Sequence, residues 1–452
     1  MMKITLTNDL AITEAPERLV REIEKQLTFR NPRYEELERM GRWTGDTPEF
    51  LALYSYIHGG IQIPRGYIPQ LIARCRAENI RFEIIDRRRT LPPVDIEFLG
   101  TLEPFQEKAL AWILKKDFGT LASPTGSGKT VIALAAVARR RQPALIIVHT
   151  KELLNQWVER IGSFLNVPVK EIGRIGAGKF SIGDQITVGI VNSIYGRGRD
   201  IREHIGFVIV DECHRTPSRT FTEAVSSFDC KYTLGLSATP WRRDKLSRLI
   251  YWYVGHVAHR IEEYELLHEG HILPFDVITR ETDFDTAYDP AEEYSQMLSE
   301  LTQDTGRNLQ ICSDVAKEAG MDNGICLVLT DRKQHCENLR EILLNRFGVG
   351  SDLLTGDVSK TEKKTVVQRL NAGKTRVLIA TGQLIGEGFD CKALTTLFLA
   401  TPIKFDGRLR QYVGRVMRPA RGKDKAVVYD YVDENIGVLA ASAKARKRVY
   451  GL

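Results

Sequence analysis

Ser123-Pro124-Thr125-Gly126-Ser127-Gly128-Lys129-Thr130 is the stretch from which the rest of the chain can be read. It has the spacing of a phosphate-binding loop, with Ser123 where the general pattern has glycine. Such a loop works by wrapping backbone N–H groups around phosphate oxygens at a helix N-terminus. Gly126 and Gly128 let the backbone curl, and Thr125 and Ser127 complete the cradle. Lys129 brings a point charge to the β- and γ-phosphates, and Thr130 brings a hydroxyl to Mg²⁺. The apolar Thr120-Leu121-Ala122 precedes the loop, and Val131 to Ala138 is a strong helix former. Strand, loop and helix together predict a nucleotide site whose cofactors are ATP and Mg²⁺.

About 80 residues downstream, the apolar Phe207-Val208-Ile209-Val210 runs into Asp211-Glu212-Cys213-His214. A buried strand ending in two carboxylates suits phosphoryl transfer to water. Asp211 is expected to hold Mg²⁺, and Glu212 to orient and deprotonate the attacking water. His214 reads as a coupling residue, since no further ligands stand at zinc spacing.

The 452 residues suggest two to four domains at about 100–200 residues each. A net charge of +6 fits a polyanionic partner but does not require one. The seven cysteines include no C-x-x-C pair, which points to scattered reduced thiols. No apolar run reaches a membrane-spanning length and the start lacks a signal-peptide pattern, so a cytoplasmic protein without a membrane partner is expected.

Residues 1–92 read as a small α+β accessory unit, closing on the charge run Asp86-Arg87-Arg88-Arg89 and Pro92-Pro93. Its Arg65, Tyr67, Arg74, Arg81, Arg87, Arg88 and Arg89 suit either a nucleic-acid surface or a solvated face. The basic tail Lys444, Arg446, Lys447 and Arg448 reads the same way. Residues 93–262 are α/β, with strands predicted at Leu145–Val148, Ile186–Val191, Phe207–Val210 and Thr233–Leu236. Residues 263–452 form a second α/β block, with strands at Gly324–Leu329, Val377–Ile379, Thr396–Leu399 and Ala426–Tyr429. A polar helical insertion is expected near 289–320. Continuous apolar runs of this kind are how buried parallel strands read. Trp157 reads as a packing residue rather than a base-stacking platform.

Further motifs carry a family resemblance. They are Leu102-Glu103-Pro104-Phe105-Gln106, Ser237-Ala238-Thr239-Pro240, the run from Ile379 to Asp390, and Gln411-Tyr412-Val413-Gly414-Arg415-Val416-Met417-Arg418. In this order they resemble the superfamily 2 helicases of the DEAD/DEAH-like group. The resemblance implies two tandem RecA-like lobes with parallel sheets. It implies that Gln106 reads the adenine edge, that Gly388 and Asp390 touch the nucleotide, and that His214, Ser237 and Thr239 couple hydrolysis to nucleic-acid contact. Gln411, Arg415 and Arg418 join Lys129, Asp211 and Glu212 as catalytic residues. The two arginines, three apart, are expected on one helical face. Thr150, Lys151, Asn192, Ser193, Thr330, Arg332 and Thr381 are the implied strand contacts.

The finer likeness is to the XPB and UvsW type of repair and recombination helicases. Trp241-Arg242-Arg243-Asp244 stands where that type carries Arg-Glu-Asp. The expectation is a monomeric ATP-dependent DNA helicase or translocase on duplex or branched DNA. An RNA helicase, a restriction-type motor subunit and a non-translocating ATP-gated duplex clamp remain open.

Overall fold

The computed structural model describes residues 1–451 apart from 216–218, 239–246, 322–323, 357, 383–390, 404–405 and 421. Two compact units emerge, Met1–Pro124 with Gly128–Ile261, and Glu262–Leu452 with Thr125–Ser127. No described helix is long and apolar enough to cross a membrane.

The first unit holds an eight-stranded sheet. Its order is Lys179–Ser181, Gly173–Gly176, Ile186–Ile190, Ala144–Val148, Phe207–Val210, Tyr232–Ser237, Phe118–Ala122 and Val257–Arg260. All pairs are parallel except the hairpin at the first edge. The central Ala144–Val148 and Phe207–Val210 are buried at every residue, as strands covered on both faces must be. All four strands expected in this block lie in the sheet. The apolar pattern missed the short, glycine-bearing Gly173–Gly176 and the exposed or half-exposed edge strands Lys179–Ser181 and Val257–Arg260.

Because the strands run parallel, their C-terminal ends share one edge. The phosphate loop follows Phe118–Ala122, Asp211 follows Phe207–Val210, and Ser237 ends Tyr232–Ser237. Thr150 and Lys151 follow Ala144–Val148, and Asn192 and Ser193 follow Ile186–Ile190. Ligands in open α/β sheets gather at this edge.

The amino-terminal residues add a five-stranded mixed sheet in the order Ser55–Ile57, Gly60–Pro64, Asp9–Thr13, Met2–Leu6 and Phe82–Asp86. Its core includes Ile4, Ile12, Leu19, Ile23, Ile61 and Leu71, and is completed by Leu249 and Trp252 from the helix Ser247–Tyr253. Gly66 lies so close to the carbonyls of Tyr251 and Trp252 that a Cβ there would collide with them.

Here the structure corrects the reading of the arginines. Arg65 is 2% exposed, donates to the Cys230 carbonyl at 3.0 Å and to the Thr233 hydroxyl, and lies over the Phe118 ring. Arg74 pairs with Glu22 and Glu78, Arg88 with Asp86 and Asp117, and Arg89 with Glu203 and Asp229. Tyr67 is buried. Arg65, Arg88 and Arg89 hold the amino-terminal sheet on its neighbour and Arg74 pairs within the amino-terminal segment, instead of forming an open basic face; Arg81 and Arg87 are exposed.

The second unit is a six-stranded parallel sheet ordered Phe275–Glu281, Ala426–Val432, Thr396–Leu399, Cys326–Thr330, Val377–Thr381 and Asp352–Leu354. The pattern missed its two edge strands, Phe275–Glu281 and Asp352–Leu354, which are largely half-exposed. Helices Tyr294–Leu301 and Thr305–Ala319 occupy the polar stretch. Arg307, fully buried, pairs with Asp433 at 2.8 Å and donates to the Ala400 carbonyl at 2.6 Å. In the basic tail, Arg446 turns inward to Asp430 at 2.7 Å.

Candidate nucleotide and strand-binding site

Helix Lys129–Arg140 begins at Gly128, whose φ of 78° is left-handed, as is the 96° of Gly126. Glycine alone takes such angles without strain. A Cβ on Gly128 would collide with Nε2 of Gln106. Gln106 is thereby brought against the loop, where its Oε1 accepts from the Glu103 backbone N–H at 3.0 Å in a capping box. The Lys129 ammonium donates to the carbonyls of Ser123 and Pro124 at 2.9 and 3.1 Å, so its charge sits within the loop. Thr130 occupies the first helical turn.

Asp211 is 8% exposed. The Trp157 indole donates to its Oδ2 at 2.8 Å, and Oδ1 accepts from the Glu212 N–H at 3.0 Å. Burial first, and then the Glu212 charge, pushes its carboxyl up to about 6, while the Trp157 bond and Lys129 oppose the rise. Trp157 is itself 2% exposed, on helix Lys151–Phe164. It is more than the packing residue its sequence context suggests, because its one polar atom is spent on the Asp211 carboxylate. Its only signal was an indole one helical stretch after a buried strand. The set as a whole fits a magnesium nucleotide: a two-glycine cradle, an ammonium, a hydroxyl and a buried carboxylate.

Glu212 also has a left-handed backbone, φ 48°, which is uncommon and strained for a residue with a side chain. That turn brings its Oε2 to 3.2 Å from Nδ1 of His214. The same Nδ1 lies 2.9 Å from Oγ of Ser237. One ring nitrogen thus stands near both the carboxylate and the hydroxyl at the end of the next strand, and its hydrogen bond goes to the hydroxyl. It can donate its proton fully to only one.

In the second unit, Gln411, 6% exposed, and Arg415 lie on helix Asp406–Val416. Arg418 does not. The helix stops at Val416 because Pro419 disfavours helical geometry at the residue before it. The expected shared helical face is therefore replaced by a turn. Lys423 braces that turn, donating to the carbonyls of Leu394 at 2.6 Å, Arg418 at 2.9 Å, and Val416. Burial pulls its ammonium down to about 8. No sequence motif flagged it. Thr239, Gly388, Asp390 and Trp241–Asp244 lie outside the described residues.

Of the implied strand contacts, Lys151 and Asn192 are exposed and Ser193 is half-buried. The Thr150 hydroxyl caps its helix by accepting from the Leu153 N–H at 3.3 Å. Thr330 and Thr381 stand in register on adjacent strands. Thr330 is 1% exposed, with its hydroxyl bonded to His335 at 2.7 Å. It therefore turns inward and could meet a strand only through its backbone. Arg332 is bonded to the Ser295 hydroxyl at 3.1 Å.

Two family profiles match in order: "Type III restriction enzyme, res subunit" over residues 99–242, and "Helicase conserved C-terminal domain" over 309–420. The DNA 3'-5' translocase XPB2 of Sulfurisphaera tokodaii is 28% identical over 383 residues, covering 76% of this chain and 84% of the relative. A protein of Acanthamoeba polyphaga mimivirus, named as an ATP-dependent RNA helicase, is 26% identical over 379 residues, covering 79% and 69%. The helicase domain of Pyrococcus furiosus Hef shares the fold, with a TM-score of 0.52 at 15% identity, over 75% of this chain and 97% of that one. Two parallel-sheet units carrying these two helicase profiles in sequence make the chain a member of the superfamily 2 helicases, enzymes whose ATP hydrolysis depends on nucleic acid.

Proposed function

We propose that this protein is a cytoplasmic, monomeric DNA translocase or helicase acting on duplex or branched DNA in repair or recombination. The observation that carries the motor reading is the placement of His214, hydrogen-bonded to Ser237 and 3.2 Å from the Glu212 carboxylate. In this reading the imidazole stands between the carboxylate that activates water and the strand end that leads towards nucleic acid. Likeness to the XPB2 translocase over most of both chains supports DNA as the track.

In this reading Gln106 holds the adenine, Thr125 to Thr130 cradle the phosphates, and Lys129 balances their charge. Asp211 and Thr130 hold Mg²⁺, which when bound neutralises charge on the transferring phosphate. Glu212 takes the proton from water. Arg415 and Arg418, with Gln411 beside them, stabilise the charge that spreads over the γ-phosphate. Thr150, Lys151, Asn192, Ser193, Arg332 and Thr381 follow the strand backbone.

The second reading, an RNA helicase, is favoured by the mimivirus relative. ATPase stimulation by duplex DNA, forked DNA, a Holliday junction and duplex RNA decides between them. Forked or branched DNA is expected to stimulate most, and Lys129→Ala to abolish the stimulated activity. Stimulation by RNA alone would overturn the DNA assignment.

A further inference from the structure

We infer that the hairpin Gly173–Ser181 and the segment Asn192–Arg197 form a seat for one unpaired nucleotide, extending the strand track outward along the first unit's sheet edge. The inference rests on the nucleic-acid reading above and adds a site to it.

Topology places the seat. Gly173–Gly176 runs parallel to Ile186–Ile190, with Gly173 opposite Thr187 and Ile175 opposite Gly189. The hairpin turn therefore leaves the sheet at the same edge as Asn192 and Ser193, on the side away from the phosphate loop. The turn is tight. Gly176, Ala177 and Gly178 have φ of 123°, 53° and 82°, and only the alanine bears the strain of a side chain there. This reversal returns Lys179 and Phe180 beside Tyr195 and Arg197, around a groove of about 630 Å³.

The lining has the chemistry of a nucleotide. Lys179 and Arg197 are its charged groups, and no carboxylate lines the groove. Neither cation has a carboxylate partner among the described residues, which distinguishes them from the internally paired Arg74, Arg88 and Arg89. Phe180 and Tyr195 are 46% and 41% exposed, and the Arg197 guanidinium lies 5.0 Å from the Phe180 ring centroid. Exposed rings beside unpaired cations form the stacking platform used for single strands. Asn192 and Ser193 supply small hydrogen-bonding groups for the sugar and phosphate. A base stacked on Phe180 cannot at the same time be stacked and paired in a duplex, so the occupant is an unpaired nucleotide of DNA or RNA.

The test uses the full chain and fluorescein-labelled oligo(dT), oligo(U) and a blunt DNA duplex, read by anisotropy. Phe180→Ala is expected to weaken oligonucleotide binding about ten-fold. It should leave blunt-duplex binding and nucleic-acid-free ATPase as in the parent, and Phe180→Tyr should restore binding. Lys179→Ala with Arg197→Ala is expected to lower the salt slope of single-strand binding by about 1.4, the release expected for two phosphate contacts. Loss on both oligonucleotides supports a seat indifferent to the sugar, and loss on one supports it and names its strand. Parental oligonucleotide binding by all variants, or an equal loss on the blunt duplex, overturns the seat. If no nucleic acid stimulates the parent's ATPase, the motor reading itself fails; stimulation with unaffected variants sinks the seat alone.

Discussion

Replacing Trp157 by phenylalanine keeps an aromatic ring in the core and removes one hydrogen-bond donor. That donor lies 2.8 Å from Oδ2 of Asp211, and both residues are buried, at 2% and 8% exposure. Water cannot easily take its place. A hydrogen bond to a charged group contributes about 1.5–3 kcal/mol. Spent on orienting a carboxylate for Mg²⁺, this is about a 10- to 100-fold effect, the range found for groups that hold metal ligands in place. The assay is nucleic-acid-stimulated ATPase, titrated with Mg²⁺ at saturating ATP. Trp157→Phe is expected to raise the Mg²⁺ concentration for half-maximal rate, to lower kcat, or to divide the loss between them, about 10- to 100-fold in total. Thermal unfolding measured alongside separates this from loss of packing, which shifts Tm without changing the Mg²⁺ requirement of the folded fraction. A variant with the parent's Mg²⁺ curve and a kcat within about two-fold would refute the claim that the indole orients this carboxylate.

Two further outcomes follow from the same geometry. His214→Ala removes the imidazole that stands between Glu212 and Ser237; unwinding or triplex displacement is expected to fall about ten-fold more than stimulated ATPase, and equal losses in both would count against a coupling role. His335 is fully buried between the Thr330 hydroxyl and Oδ1 of Asn308, and burial, aided by Arg307, pulls it from 6.5 to about 3. It stays neutral in the folded chain while the unfolded chain takes up a proton below pH 6.5, so stability is full above that value and falls by about 1.4 kcal/mol per pH unit towards pH 3. Denaturant titrations of the parent and His335→Gln across this window should show a shallower pH dependence in the variant; identical slopes would contradict the assignment.

The parts legible in the sequence were those whose physics is local. The glycines that permit φ of 96° and 78°, and the lysine that follows them, are adjacent in the chain. Asp211 and Glu212 announce themselves because an apolar strand immediately precedes them. Central strands such as Phe207–Val210 are apolar throughout, whereas Val257–Arg260 and Phe275–Glu281 sit at sheet edges and are half-exposed, so no apolar run marks them. Arg418 was placed on a helix by its spacing from Arg415, although Pro419 was there to be read as a stop.

Partners distant along the chain were decided by tertiary structure. Arg65 finds the Cys230 carbonyl 165 residues away, and Trp157 finds Asp211 54 residues away. As letters, an arginine near a tyrosine suits a nucleic-acid surface and a tryptophan suits a core. Nothing in the neighbouring residues tells a cation that will bind phosphate from one that will be buried against a distant carbonyl. The sequence by itself determined the phosphate loop, the acidic strand end and the order of the motifs, because backbone freedom and apolar runs act over a few residues. Which side chains brace that site, and which cations line a groove as Lys179 and Arg197 do, was decided only when parallel strands brought remote segments to a common edge.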